Sequence, residues 1–124
     1  MNNGRLKVLI VDDAELVINR VIELLKEMTV IENILGVGSF NQAIQSLSVD
    51  VPDLVLLDIQ LPGKSGIELL THVKQHYPKI KIIMLTNKAG LYYKAICEKA
   101  GCDHFIDKSS DFEKIPNIIE SYAC

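Results

Sequence analysis

The sequence predicts one α/β domain, a five-stranded parallel sheet with helices on both faces. Three observations lead there. Short apolar runs alternate with stretches of helical periodicity along all 124 residues, and strict alternation gives a parallel sheet covered on both sides. The most apolar run, Leu54-Val55-Leu56-Leu57, lies between Asp53 and Asp58, as in a strand buried on both faces. Leu61-Pro62-Gly63 then turns the chain, and the other connections are equally short.

Each element has its own signal. Arg5 to Val11 is a β-branched first strand ending in Asp12-Asp13. Ala14 to Met28 places Val17, Val21, Leu24 and Met28 at helical spacing, with Asp13 as the expected N-cap and Glu15 in the first turn. Ile34 to Gly38 is a short second strand. Ser39-Phe40-Asn41-Gln42 has the form of a capping box and opens a second helix that ends near Ser48. Asp53 to Asp58 is the third strand. Gly66 to Tyr77 is a third helix with Ile67, Leu70, Val73 and Tyr77 on one face, stopped by Pro78. Ile80 to Leu85 is the fourth strand, followed by Thr86-Asn87, and Ala89 to Ala100 is a fourth helix that Gly101 ends. Asp103 to Ile106 is a fifth strand, followed by Asp107-Lys108. Ser109 to Tyr122 closes the chain. Pro116 predicts a loose or 3₁₀ first turn over Ser110 to Glu113 and regular helix afterwards, with Ile115, Ile118, Ile119 and Tyr122 facing the core. Five such units with right-handed crossovers favour the flavodoxin-like doubly wound order 2-1-3-4-5, with a crevice between the first and third strands.

Composition sets limits on function. An apolar fraction of 48% and a charged fraction of 23% are those of an ordinary globular domain. A net charge of −3 argues against non-specific nucleic-acid binding. No signal peptide is recognisable and no apolar run approaches membrane-spanning length, so no membrane partner and a cytoplasmic location are expected. Cys97, Cys102 and Cys124 form neither a disulfide framework nor a zinc pattern and read as reduced thiols.

Parallel strands deliver their C-terminal ends to one rim. Asp12 and Asp13 arrive from the first strand, Asp58 from the third, Thr86 from the fourth and Lys108 from the fifth. Like charges gathered this closely oppose one another's ionisation, so positive charge must compensate. Lys108 supplies one charge. A divalent cation is the natural second, and an all-oxygen ligand set favours Mg²⁺ or Mn²⁺, or Ca²⁺, over zinc. Such a metal takes phosphate oxygens readily. Phosphoryl chemistry follows, with Asp58 as nucleophile and Thr86 as a hydrogen-bond donor to the transferred group.

These residues resemble a family. Val8-Leu9-Ile10-Val11-Asp12-Asp13, Leu56-Leu57-Asp58-Ile59-Gln60-Leu61-Pro62-Gly63, Ile83-Met84-Leu85-Thr86 and Phe105-Ile106-Asp107-Lys108-Ser109 are similar, in order and spacing, to the motifs of CheY-like receiver domains of two-component response regulators. The resemblance covers the whole chain and implies a single receiver domain over residues 1–124. It implies that Asp58 accepts a phosphoryl group from a histidine kinase or a histidine phosphotransfer protein. By the same resemblance Asp12, Asp13, Asp58 and the backbone carbonyl of Gln60 hold Mg²⁺, and Lys108 pairs with the phosphoryl group. Thr86 and Phe105 correspond to the switch pair, although Phe105 also reads as a plain core aromatic. The face of the fourth helix, fifth strand and fifth helix would meet a downstream protein, and phosphorylation-dependent dimers are an open outcome. Asn87 departs from the small residue usual after the switch hydroxyl. Gln60 and Lys88 fall at positions that tune hydrolysis of the aspartyl-phosphate, with a sign the sequence leaves open.

Competing readings fit less well. A receiver cut from a longer DNA-binding regulator would read the same. A small Mg²⁺-dependent aspartyl-phosphate phosphatase would need its nucleophile after the first strand and a second acid two residues later, whereas Asp12 is followed by Asp13-Ala14-Glu15. A flavin module would need a hydroxyl- and glycine-rich loop there. Gly63-Lys64-Ser65 lacks the earlier glycine of a Walker loop, since Asp58 occupies that position. The expected role is therefore a phosphorylation-controlled interaction module, not an enzyme with an external substrate. His72 and His76 lie four apart on the third helix without an evident third ligand and read as a solvated face. Of Tyr92 and Tyr93, one is expected in the core and the other exposed.

Overall fold

The computed structural model describes residues 5–123, with the main chain alone at 88–90; Cys124 and the side chain of Lys88 lie outside the described residues. Five parallel strands, β1 (Leu6–Val11), β2 (Ile31–Val37), β3 (Leu54–Asp58), β4 (Lys81–Thr86) and β5 (His104–Asp107), form one sheet in the order 2-1-3-4-5. The helices are α1 (Glu15–Leu25), α2 (Phe40–Val49), α3 (Gly66–His76), α4 (Lys94–Lys99) and α5 (Ile115–Tyr122). The flavodoxin-like architecture expected from the alternation is the one observed.

Strand alternation splits the core into two layers. Leu54 and Leu56 of β3 face α1 and α5, where they pack with Val21, Leu25, Ile115 and Ile119. Val55 and Leu57 face the other side, with Leu47 of α2, Leu70 and Val73 of α3, and Cys97 of α4. These four β3 residues are at most 1% exposed, and burying each such side chain contributes about 1.5–3 kcal/mol. β3 is therefore held on both faces and both edges.

The helix starts show how local chemistry fixes the loops. Ser65 and Glu68 make a full capping box at α3, the serine hydroxyl accepting from Glu68 N at 3.2 Å and the glutamate accepting from Ser65 N at 3.3 Å. At α2 only half the expected box forms. Ser39 Oγ accepts from Gln42 N at 3.2 Å, but Gln42 Oε1 accepts from Gly38 N at 2.8 Å, one residue earlier. At α1 the expected Asp13 cap is absent. Ala14 occupies the cap position, and its N–H donates to Asp12 Oδ1 at 2.9 Å, so the preceding acid ties the chain and leaves Asp13 exposed.

Three boundaries differ from expectation for physical reasons. β2 begins at Ile31, not Ile34. It is an edge strand, so Glu32 and Asn33 are exposed and break the apolar run; Asn33 pairs with Lys7, while Glu32 falls at a register shift and has no partner in the β1 register. The expected fourth helix is 3₁₀ over Lys88–Tyr93 and α-helical only over Lys94–Lys99. Gly90, Tyr92 and Tyr93 have poor helix propensity, and Asn87 makes no side-chain cap. α1 ends at Leu25, and Met28 packs on the core from the following turn. The last helix matches closely: 3₁₀ over Phe112–Lys114, then α5 with Pro116 in its first turn.

Gly66 joins fold to site. Its N–H donates to Ile59 O at 2.6 Å. A Cβ there would overlap the Asp58 carbonyl oxygen and lie 2.9 Å from Ile59 Cα, against main chain that has no side-chain freedom to yield. Gly66→Ala should therefore cost about 2 kcal/mol or more in chemical denaturation. Gly63 has a φ of 89° but open space around it, so Gly63→Ala should cost only about 1 kcal/mol. Equal costs would show that the close approach at Gly66 is immaterial.

Candidate functional site

The C-terminal ends of β1, β3, β4 and β5 share one rim, and their side chains meet there. Asp12 follows β1 directly. Its N–H donates to Val37 O at 3.0 Å, which fixes the carboxylate beneath the rim, fully buried. Asp58 ends β3 and is 7% exposed. Asp13 is exposed beside them. One oxygen from each of the three carboxylates lies within 4.8 Å of the others.

Lys108 reaches this cluster from the far side of the sheet. Its N–H donates to Thr86 O at 2.7 Å. Asp107 stiffens the same turn by accepting from Ser109 N at 2.9 Å and Ser109 Oγ at 2.7 Å. The ammonium then donates to Asp12 Oδ2 at 2.6 Å and pairs with Asp58 Oδ1 at 3.4 Å. One cation thus serves two buried carboxylates.

The electrostatics follow. Burial pushes the Asp58 carboxyl up to about 6, and the charge of Asp12 pushes the same way. Lys108 and a hydrogen bond from the Gln60 main chain oppose the rise without cancelling it. The donor set fits a hard divalent cation: three carboxylates from two adjacent strand ends, no nitrogen or sulfur ligand, and more negative charge than Lys108 balances.

Thr86 is buried, and its hydroxyl donates to Asn87 O at 3.1 Å. Phe105 is half-buried and packs against the core layer that contains Met84. In the β4–β5 register Met84 faces Phe105 and Thr86 faces Asp107, so Thr86 and Phe105 lie on one face of the sheet, two pairings apart. Gln60 and Asn87 are exposed at the rim. The structure therefore brings Asp12, Asp13, Asp58 and Lys108 together, and Thr86 borders them.

Two further residues border the site. Glu15 and Gln42 line a cavity of about 360 Å³ with Asp12, Asp13 and Gly38. In sequence Glu15 signals only a first-turn acid and Gln42 only a cap, because the β2–α2 loop closes over the first strand end in space, not in sequence. A larger cavity of about 540 Å³ lies between β2 and α2, lined by Leu35, Val49 and Pro52 among others. Its charged side chains, Lys7 and Asp50, pair with each other at 3.0 Å, so the reactive groups belong to the smaller one.

The raised Asp58 carboxyl has a consequence for stability. Well below pH 3.8 it is protonated in both folded and unfolded chains. The unfolded chain releases its proton first, near the ordinary carboxylate value of 3.8, and the folded chain near 6. Metal-free protein should therefore lose stability as pH rises between these values, by about 3 kcal/mol at most. Asp58→Asn should be the more stable protein at pH 8 and nearly equal to wild type at pH 3, read from denaturant midpoints without divalent cations. A variant less stable than wild type at pH 8 would contradict the charge assignment.

Comparison with known proteins agrees with this geometry. Residues 8–120 match the family described as the response regulator receiver domain. The Fimbriae Z protein of Salmonella typhimurium is 31% identical over 113 residues, covering 91% of this chain and 54% of that protein. The response regulator protein VraR of Staphylococcus aureus is 32% identical over 116 residues, covering 92% of this chain and 54% of its own. The chain thus spans about half the length of these relatives. The N-terminal signal receiver domain of a two-component response regulator from Bacteroides fragilis superposes with a TM-score of 0.84 at 24% identity, over 95% of this chain and 96% of that one. The match over residues 8–120 settles the family: the chain belongs to the response regulator receiver domain family of two-component systems.

Proposed function

We propose that Asp58 accepts a phosphoryl group from the phosphohistidine of a histidine kinase or histidine phosphotransfer protein. A carboxylate oxygen of Asp58 attacks phosphorus, the P–N bond breaks, and its electron pair leaves with the imidazole, which takes up a proton. The observation that carries this reading is the meeting of the Asp12, Asp13 and Asp58 oxygens within 4.8 Å, with Lys108 at 3.4 Å from Asp58.

The residues divide the work. Asp12, Asp13, Asp58 and the Gln60 carbonyl would hold Mg²⁺, or Mn²⁺ in its place. Bound there, the cation supplies positive charge to the phosphoryl oxygens. Lys108 supplies the second positive charge, and its ammonium shifts from Asp12 toward the transferred group. The Thr86 hydroxyl exchanges its Asn87 carbonyl partner for a phosphoryl oxygen, and Phe105 follows inward. Gln60 and Asn87, exposed at the rim, border the path of the attacking water and set the lifetime of the acyl phosphate, with position 88, whose side chain lies outside the described residues, as a further tuning position. The domain turns over no external substrate; it catalyses its own phosphorylation and dephosphorylation in the cytoplasm.

Output then runs through the face of α4, β5 and α5. Leu91, Tyr92 and Ile96 are 42%, 83% and 49% exposed there, while Tyr93 packs on the core. Such a surface suits a downstream protein or a second copy of the domain. The length of the relatives favours a variant of this reading, in which the receiver controls an attached effector region.

The test is intact mass after incubation with acetyl phosphate. With Mg²⁺ the wild type should gain one phosphoryl group, and Asp58→Asn should gain none. No gain in the wild type, or the same gain without Mg²⁺, would overturn the proposal.

A further inference from the structure

The solvent side of α3 carries two groups that the carboxyl rim does not use. His72 and His76 stand one helical turn apart with their rings stacked, centroids 4.3 Å apart and planes inclined by 29°. His76 Nδ1 lies 2.9 Å from the main-chain oxygen of His72. A carbonyl oxygen only accepts, so Nδ1 carries the proton, and the lone pair of the neutral ring sits on Nε2. A main-chain carbonyl that fixes one nitrogen and frees the other is the usual setting of a metal-bound histidine. His72 is half-buried, and burial first, then His76 and Lys64, hold its pKa below the ordinary histidine value.

His76 is exposed to solvent, and a shallow cavity of about 320 Å³ on the other flank of His72 is lined by Ile67, Glu68, Thr71 and Gln75, without His76. Glu68 is turned away to the Ser65 N–H at 3.3 Å. Among the described residues no third acid, histidine or cysteine joins the pair, so water would fill the remaining positions. Two neutral imidazoles select against Mg²⁺, which prefers oxygen, and for a borderline dication such as nickel(II), copper(II) or zinc(II).

We propose that His72 and His76 form a bidentate site for an imidazole-preferring transition-metal dication, separate from the acidic rim. The two sites sort cations by ligand chemistry: oxygen at the rim, nitrogen on α3. Bound metal bridges the last turn of α3 and stabilises the folded chain by mass action.

The experiment is calorimetric titration with Ni²⁺ in excess Mg²⁺, using the full chain. The wild type should bind one Ni²⁺. His72→Gln and His76→Gln should each weaken it by at least about tenfold, while Asp13→Asn leaves it unchanged. Circular dichroism of each variant checks the fold, and Ni²⁺ should raise the thermal midpoint of wild type but not of the double variant. No binding by the wild type, equal affinity in the double variant, or loss on Asp13→Asn would each overturn the proposal.

Discussion

One shortage of positive charge shapes this molecule. Among the described residues a single ammonium, from Lys108, lies 2.6 Å from Asp12 and 3.4 Å from Asp58, and both acids are buried. Asp13 adds a third negative charge just outside. A buried carboxylate without sufficient compensation is costly, and its proton affinity rises until something positive arrives. The opposite rim shows the contrast. There Asp53 accepts from Lys7 N at 2.8 Å, and Asp103 accepts from Ile82 N at 2.8 Å and Lys74 Nζ at 3.0 Å. Those acids fasten strands together. The acids of the carboxyl rim are held short of charge.

The sheet makes that imbalance possible. Asp58 sits at the end of the strand with the least freedom, clamped between β1 and β4 and covered by both core layers. The Gly66 backbone presses on the Asp58 peptide, so the α3 start and the β3 end move as one. Lys108 is placed by the β5 turn through its own N–H to Thr86 and by Asp107. Stability invested in the core is what holds three acids in a place that each would otherwise leave. Any ligand that neutralises the rim then gains a preformed site and relieves repulsion at once, as the proposed phosphorylation requires.

The strands that carry the site were legible because burial on both faces writes a continuous apolar run, and β1 and β3 do so up to their terminal acids. Four strand ends in one parallel sheet then had to share a rim. Less was visible where the cause is tertiary. β2 is an edge strand, and its polar Glu32 and Asn33 hid the first half of it. The 3₁₀ path over Lys88–Tyr93 has instead a local cause, the poor helix propensity of Gly90, Tyr92 and Tyr93, which apolar spacing does not record. Asp13 looked like a helix cap until Asp12 took the Ala14 N–H. The Lys108–Asp12 bond spans 96 positions; the sequence placed both residues at the rim but could not say which acid the lysine prefers. His72 and His76 share a spacing with any solvated pair, and only the ring stack and the carbonyl contact distinguish them.

The central claim is that the Asp58 carboxyl is charge-starved until a cation or phosphoryl group completes the rim. Carbon-13 NMR titration of the side-chain carboxyls, with and without Mg²⁺, reads this directly. The account predicts an Asp58 midpoint near 6 in metal-free protein and a fall toward or below the ordinary carboxylate range when Mg²⁺ is present. An ordinary midpoint without metal, or a raised one that Mg²⁺ leaves in place, would contradict it.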